Sequence, residues 1–222
     1  MDTWLSLQYS HSEELTLGDD EIRTPDALVE EFLRRHSEPG DAVLDPFAGY
    51  GTTLTVAERL DRVPYGVEYE SERVEHVRER VDHTEHVRQG DARELDPSRL
   101  PDCAICFTSP PFMEQTDDRN PFENYAGESS YDQYLDDIET TFSRVDDVLA
   151  ADGHVVVDVS NMKHQGRVTT LAWDVADRLS NVFQFDGDVV VGWDDPDAAE
   201  DEDQFGYGYD HSYALVFSKN TE

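Results

Sequence analysis

Apolar residues along this chain alternate between helical and strand-like spacing, and each switch marks the boundary of an element. Leu28, Val29, Phe32 and Leu33 recur at helical spacing. Thr24-Pro25 opens that helix, with Thr24 as a candidate N-cap and proline at the first helical position, and Pro39-Gly40 breaks it. Short apolar runs follow: Ala42–Asp45 (AVLD), Tyr65–Glu68 (YGVE), a brief HVRQ before Gly90-Asp91, CAICF, and HVVVDVS. Between them lie the helical stretches TTLTVAERL and SERVEHVRERV, and a longer one with apolar positions at Tyr131, Leu135, Ile138, Phe142, Val145 and Leu149. Gly153 is predicted to stop this last helix. VTTLAWDVADRLS predicts a further helix, and VFQFDGDVVVGW and HSYALVFSK predict two closing strands. Strands alternating with helices predict an α/β fold, a mostly parallel sheet covered on both faces. At 222 residues the chain is expected to form one domain, 1–222, with loop insertions at about 113–130 and 194–210.

Charge changes the picture next. The chain carries 51 acidic and 17 basic residues, a net charge of −34, and Lys163 and Lys219 are its only lysines. High net charge alone suggests disorder, but the acids interleave with well-patterned apolar positions. An evenly acidic, lysine-poor surface on an ordered fold resembles proteins of salt-loving archaea. In molar salt the Debye length falls to about 3 Å, and self-repulsion is screened. No apolar run has membrane-spanning length, and the start, MDTWLSLQYSHSEE, is not patterned as a signal peptide. The expected location is therefore cytoplasmic.

Cys103 and Cys106 form a C-x-x-C, a spacing used in zinc and redox sites. Residues three apart on a strand point to opposite faces, so these are expected to be buried thiols and no metal is expected. His83, His86 and His164 show no ligand-like arrangement and are expected at the surface.

Two turns carry the chemistry. In VLDPFAGYGTTL, Val43–Leu54, a strand ends at Asp45, the chain turns through Gly49 and Gly51, and Thr52 begins a helix. Glycines there allow positive φ and close approach of a ligand. Glu68 stands nineteen positions after Gly49, at a strand end where an acid can take ribose hydroxyls. Leu54 occupies the third glycine position of a dinucleotide fingerprint, and Asp45-Pro46 would repel a pyrophosphate. Asp45 suits a cationic ligand better, such as the amino group and sulfonium of S-adenosylmethionine. The second turn is FTSPPF, Phe107–Phe112, whose two prolines stop a strand and hold the chain stiff.

DPFAGYGTT and TSPPF together resemble the two signature motifs of the amino-methyltransferases, DNA methylases acting on cytosine N4 or adenine N6. RTPDALVEEFL, GVE, GDA and the closing DHSYALVFSK extend the likeness over most of the chain. The resemblance implies a Rossmann-like methyltransferase fold, a seven-stranded sheet ordered 3-2-1-4-5-7-6 with the last strand antiparallel. It implies S-adenosylmethionine as cofactor, held by Asp45, Pro46, Phe47, Ala48, Gly49, Gly51, Thr52 and Thr53, with Glu68 on the ribose and Asp91 on the adenine. Asp91 could instead be a turn residue, and Thr24 either a cofactor contact or only a cap. Ser109, Pro110, Pro111 and Phe112 become the catalytic set. The Ser109 side chain and Pro110 carbonyl orient a base amine, and Phe112 stacks on its ring.

The family's aromatic is often Tyr, so here the stacking survives and the hydroxyl does not. Serine at the first motif position accompanies cytosine-N4 enzymes more often than adenine-N6 enzymes. No separate target-recognition domain is apparent, which leaves Met113–Ser130 and the acidic loop Asp194–Asp210 as candidate readers. DNA is the favoured partner. Two alternatives stand beside it: an RNA base amino-methyltransferase, and a binding module without catalysis. Arg119 and Arg167 are candidates for a locally basic rim.

Overall fold

The computed structural model describes residues 3–12, 23–164, 166–194 and 211–220. Its elements are β1 (Trp4–Leu7), α1 (Asp26–His36), β2 (Ala42–Asp45), α2 (Thr52–Arg59), β3 (Val63–Glu68), α3 (Ser71–Arg78), β4 (Val87–Gln89) and β5 (Cys103–Thr108). They continue with α4 (Tyr131–Asp146), β6 (Leu149–Val159), β7 (Met162–His164), β8 (Arg167–Thr169), α5 (Leu171–Leu179), β9 (Gln184–Trp193) and β10 (His211–Ser218).

The main sheet runs β1-β9-β10-β6-β5-β2-β3-β4, and β7 pairs with β8 in a separate hairpin. β10 lies antiparallel to β6 and β9, and the remaining neighbours are parallel. From β4 to β9 this is the expected order 3-2-1-4-5-7-6. The count needs correction: β1 adds an eighth strand at the edge, parallel to β9. A four-residue strand with alternating partial exposure has too little apolar signal to stand out in sequence. It holds through its ladder to β9 and through Trp4, whose ring lies over Gly192; a Cβ there would come 2.8 Å from Trp4 Cζ2.

Both faces of the sheet are covered. Leu28, Val29, Phe32 and Leu33 of α1 pack with Val56 and Ala57 of α2 onto Ile105, Phe107, Val156 and Val216. On the opposite side Ile138 and Phe142 of α4 and Val175 and Leu179 of α5 meet Cys106, Val155, Val157 and Leu215. Each fully buried side chain of this kind contributes about 1.5–3 kcal/mol relative to exposure. A smaller cluster of Val74, Val77 and Val81 with Ala48, Leu54 and Val87 pins the turn after β2 to α3 and β4.

Four local expectations are corrected. Gly153 does not stop α4, which ends at Asp146; it lies inside β6, where a Cβ would stand 3.0 Å from the Cys103 carbonyl. Close backbone approach, not capping, requires glycine there. Thr24 does not cap α1: Pro25 occupies the cap position with extended backbone, and the helix begins at Asp26. Val168-Thr169, expected at a helix start, belong instead to the strand β8.

Finally, Cys103 and Cys106 share one half of the core rather than opposite faces. The pairing of β5 with β6 is irregular beside Cys103, the first residue of β5: two positions from Cys103 to Ile105 face five on β6, from Leu149 to His154. Both thiols are free and buried, burial pushes that of Cys103 up to about 12, and no metal-binding cluster occurs among the described residues. Residues 195–210, most of the expected acidic loop, lie outside the described residues, as does the side chain of His164. His83 meets Glu58 (Nδ1 to Oε1, 2.6 Å) and His86 stacks on Tyr65 at 4.2 Å, away from any catalytic arrangement.

Candidate active site at the C-terminal ends of β2, β3, β5 and β6

β2 delivers Asp45 to the end of the sheet, and the chain then turns back on itself. Ala48 N–H donates to the Val67 carbonyl (2.9 Å) and Gly51 N–H to the Ala48 carbonyl (2.7 Å), so the turn is tied to β3. Gly49 and Gly51 have φ of +51° and +82°, a region only glycine enters freely. Their surroundings separate their roles. A Cβ on Gly49 would meet nothing closer than the Phe47 carbonyl at 3.8 Å, whereas one on Gly51 would lie 2.8 Å from Val77 Cγ1. Gly49 faces open space in the site, and Gly51 lets α3 pack beneath the turn.

Glu68 ends β3, and both its oxygens hold backbone: Oε2 accepts from Gly49 N–H and Oε1 from Glu70 N–H, each at 2.8 Å. The acid thus fixes the glycine turn from the end of the neighbouring strand. Burial raises its pKa, which these two N–H groups partly offset.

Asp45 is buried and accepts from the Thr108 hydroxyl at 2.6 Å and from Phe47 N–H at 3.0 Å. Burial pushes its carboxyl up to about 6; hydrogen bonds from Thr108, Thr53 and Phe47 restrain the rise, and Glu68 adds to it. Thr108 is the last residue of β5. Directly after it Ser109 is exposed and Pro110 buried. The Pro111 carbonyl accepts from the fully buried Tyr134 hydroxyl at 3.0 Å, and Phe112 is 40% exposed. One side of the proline turn is therefore bolted to α4 while Ser109 and the ring of Phe112 stay accessible.

These ends open into one cavity of about 510 Å³. It is lined by Thr24, by Asp45–Gly49, Thr52 and Thr53, by Glu68 and Asp91, and by Ser109–Phe112. Gly51 alone of the expected site residues does not line it. Asp91 does, but its carboxylate caps the turn Ala92–Glu94 and grips Arg93 (Oδ2 to Nη2, 2.7 Å). Burial raises the Asp91 pKa, and Arg93 more than reverses this. Arg93 also binds Glu123 and Asp137, so Asp91 acts at least as a structural wall.

Asp158 at the end of β6 is a site residue that sequence reasoning missed. It is buried, lines the cavity, and accepts from Ser212 Oγ at 2.9 Å and Thr24 Oγ1 at 3.5 Å. Burial pushes its carboxyl up to about 6 as well, against the pull of those hydroxyls. The signal was present: HVVVDVS carries an acid near its end, as AVLD and YGVE end on one. Tyr134, the anchor of the proline turn, was missed because its helical spacing gives no sign of what its hydroxyl reaches. Of the two expected rim cations, Arg119 pairs with Asp117 at 3.4 Å, and Arg167 lies exposed on β8.

The chain matches a family model described as DNA methylase (N6_N4_Mtase) over residues 1–79 and 103–222. The type II methyltransferase M.BglII of Bacillus subtilis is 47% identical over 51 residues, 23% of this chain and 14% of that protein. M.HpaI of Haemophilus parainfluenzae is 41% identical over 58 residues, 26% of this chain and 18% of that one. These matches span less than a fifth of either relative. TrmN from Thermus thermophilus superposes with a TM-score of 0.59 at 20% identity, covering 88% of this chain and 49% of its own. The EcoKI M protein of a type I restriction enzyme gives 0.57 at 18%, covering 90% and 44%.

At such identities the two structures establish the Rossmann-like methyltransferase fold. Family and fold imply S-adenosylmethionine, and the residues fit it: the buried carboxyls Asp45 and Asp158, both disfavoured as anions by burial, face a cavity where a cation would relieve that cost. With most of its length matched by the family model, the chain belongs to the DNA methylase family of N4 and N6 amino-methyltransferases.

Proposed function

We propose that the protein methylates an exocyclic amine of a base in DNA, with cytosine N4 favoured over adenine N6 because serine opens the SPPF motif. The observation that carries this reading is the opening of Asp45 and Ser109, at the ends of neighbouring strands, into one cavity. When bound, S-adenosylmethionine supplies an electrophilic methyl carbon on a sulfonium.

The chain's own residues then have to orient a weak nucleophile. An amine on a base has its lone pair delocalised into the ring. The Ser109 hydroxyl and Pro110 carbonyl accept its two hydrogens, which turns the lone pair out of conjugation and toward the methyl donor. Phe112 presents its accessible face to the base. Asp45, Gly49 and Glu68 would hold the cofactor, which would supply the methyl group, and the methylated amine would release its extra proton to water. Orientation and fixed dipoles do this work without a strong base. A base within a duplex has to be flipped out to reach the turn. Placement in the cytoplasm accompanies this reading, and among the described residues no helix is long and apolar enough to cross a membrane.

Tritiated S-adenosylmethionine with a panel of DNA and RNA, followed by nucleoside analysis, tests the proposal. Labelled N4-methylcytosine in DNA is the expected product. Ser109→Ala and Phe112→Ala should each keep cofactor affinity and lose about 100-fold or more in transfer rate, while Phe112→Tyr is tolerated. N6-methyladenine as sole product overturns the base, label in RNA alone overturns the substrate, and full activity in Ser109→Ala overturns the mechanism.

A further inference from the structure

A second cavity of about 390 Å³ adjoins the first and shares three wall residues with it, Phe112, Tyr125 and Met162. The rest of its lining comes from the loop after the proline turn: Glu114, Thr116, Asp117 and Arg119. Aromatic and thioether surface together with a guanidinium paired to one carboxylate suits a flat, uncharged ring with donors and acceptors on its edge. A bare phosphate would meet two acids for every cation.

The wall between the cavities is rigid. Asn124 and Tyr125 both adopt left-handed backbone, φ +50° and +56°, a rare conformation for residues with side chains. Tyr125 N–H donates to the Asn120 carbonyl at 3.1 Å, and Asn120 is buried with its side chain on Asp137 at 2.7 Å. Tyr125 is thereby held half exposed at the mouth of both cavities. Arg119 is ordered by Asp117, which accepts from its backbone N–H at 3.0 Å and its Nε at 3.4 Å.

We infer that this second cavity is a base-reading subsite. It takes a nucleotide next to the target base, stacks it on Tyr125, and selects guanine through Arg119. Guanine presents two acceptors, O6 and N7, to a guanidinium, and when unpaired its N1–H and N2–H₂ donors also match carboxylates. Stacking on a fixed aromatic also lets a chain of net charge −34 hold nucleic acid with few phosphate contacts. The inference rests on the reading of the neighbouring cavity as the methyl-transfer site on DNA, and assigns sequence discrimination to the catalytic domain's own loop.

The test selects by binding rather than by turnover. Oligonucleotides randomised around a fixed cytosine are captured by the wild type and by Arg119→Ala and Arg119→Lys, and both bound and input pools are sequenced. The wild type should enrich guanine at one flanking position by about tenfold. Arg119→Ala should flatten that position alone, and Arg119→Lys should only partly retain it, since an ammonium cannot bridge O6 and N7. Equal enrichment in wild type and Arg119→Ala, or no flanking preference in the wild type, overturns the subsite. A guanine preference that persists while no DNA is methylated would instead sink the methyltransferase reading and leave the subsite standing.

Discussion

The Thr108 hydroxyl donates to Asp45 Oδ1 at 2.6 Å, joining the last residues of two adjacent strands that lie 63 positions apart in the chain. Asp45 begins the glycine turn and Thr108 immediately precedes Ser109, so one buried hydrogen bond sets the glycine turn against the proline turn. A charge-assisted bond of this kind is worth about 1.5–3 kcal/mol when one partner is lost. Thr108→Val, which keeps the volume, should lower unfolding free energy by about that amount at pH 7. At pH 5 the loss should shrink, because Asp45 is then largely protonated. Urea melts at the two pH values measure the difference, and equal losses at both would count against an ionised Asp45 at neutral pH.

Asp45 and Asp158 give the site a pH dependence with a definite sign. Each carboxyl is raised from 3.8 to about 6 by burial, so the fold favours the protonated form. The stability this contributes is fully present below pH 3.8 and is lost as pH rises through about 6. S-adenosylmethionine is a cation and prefers the ionised acids, so its affinity should rise from pH 5 to pH 7. Asp45→Asn should weaken binding and flatten that rise. Calorimetric titration across the range reads both, and an affinity independent of pH would refute the assignment.

The two turn glycines should fail in different ways. Gly49→Val places a β-branched side chain into the cavity from a left-handed position, and most cofactor affinity should disappear. Gly51→Ala meets Val77 at 2.8 Å with φ at +82°, so its effect should be on folding, with a loss of about 1–3 kcal/mol. Thermal melts alongside cofactor titration separate the two, and undiminished S-adenosylmethionine binding by Gly49→Val would defeat the placement of the cofactor.

Tyr134 holds the proline turn from behind, through its bond to the Pro111 carbonyl. Tyr134→Phe keeps the buried ring and strands that carbonyl, at a cost of about 1 kcal/mol. If rigidity of the turn orients the amine, kcat should fall several-fold with little change in KM for S-adenosylmethionine. Single-turnover transfer assays would detect this, and an unchanged rate would make the tie purely structural.

Salt should act on the whole molecule. With a net charge of −34, stability should climb from dilute buffer to molar KCl as self-repulsion is screened. Melting temperatures flat or falling over that range would remove the case for adaptation to high salt.

Much of the fold was legible because its cause is local. Parallel strands buried on both faces are short apolar runs, and the helices between them carry a 3.6-residue stripe. The two turns were legible for the same reason, since glycine and proline constrain the backbone wherever they stand. Elements whose stability comes from partners were not. β1 is a strand only because β9 offers its edge, and Gly153 lies within a strand because Cys103 comes close across the ladder.

Among site residues the same division holds. Asp45, Glu68 and Ser109 announced themselves through neighbouring glycines, strand ends and prolines. What tertiary structure alone decided is how they are tied together: Thr108 to Asp45, Tyr134 to Pro111, Thr24 and Ser212 to Asp158, and Arg93 to the acid expected to face adenine. Hydrogen bonds between residues far apart in the chain leave no periodicity, because each requires only one polar atom at each end. Backbone preference and burial pattern repeat along a sequence; a single donor meeting a single acceptor across a fold does not.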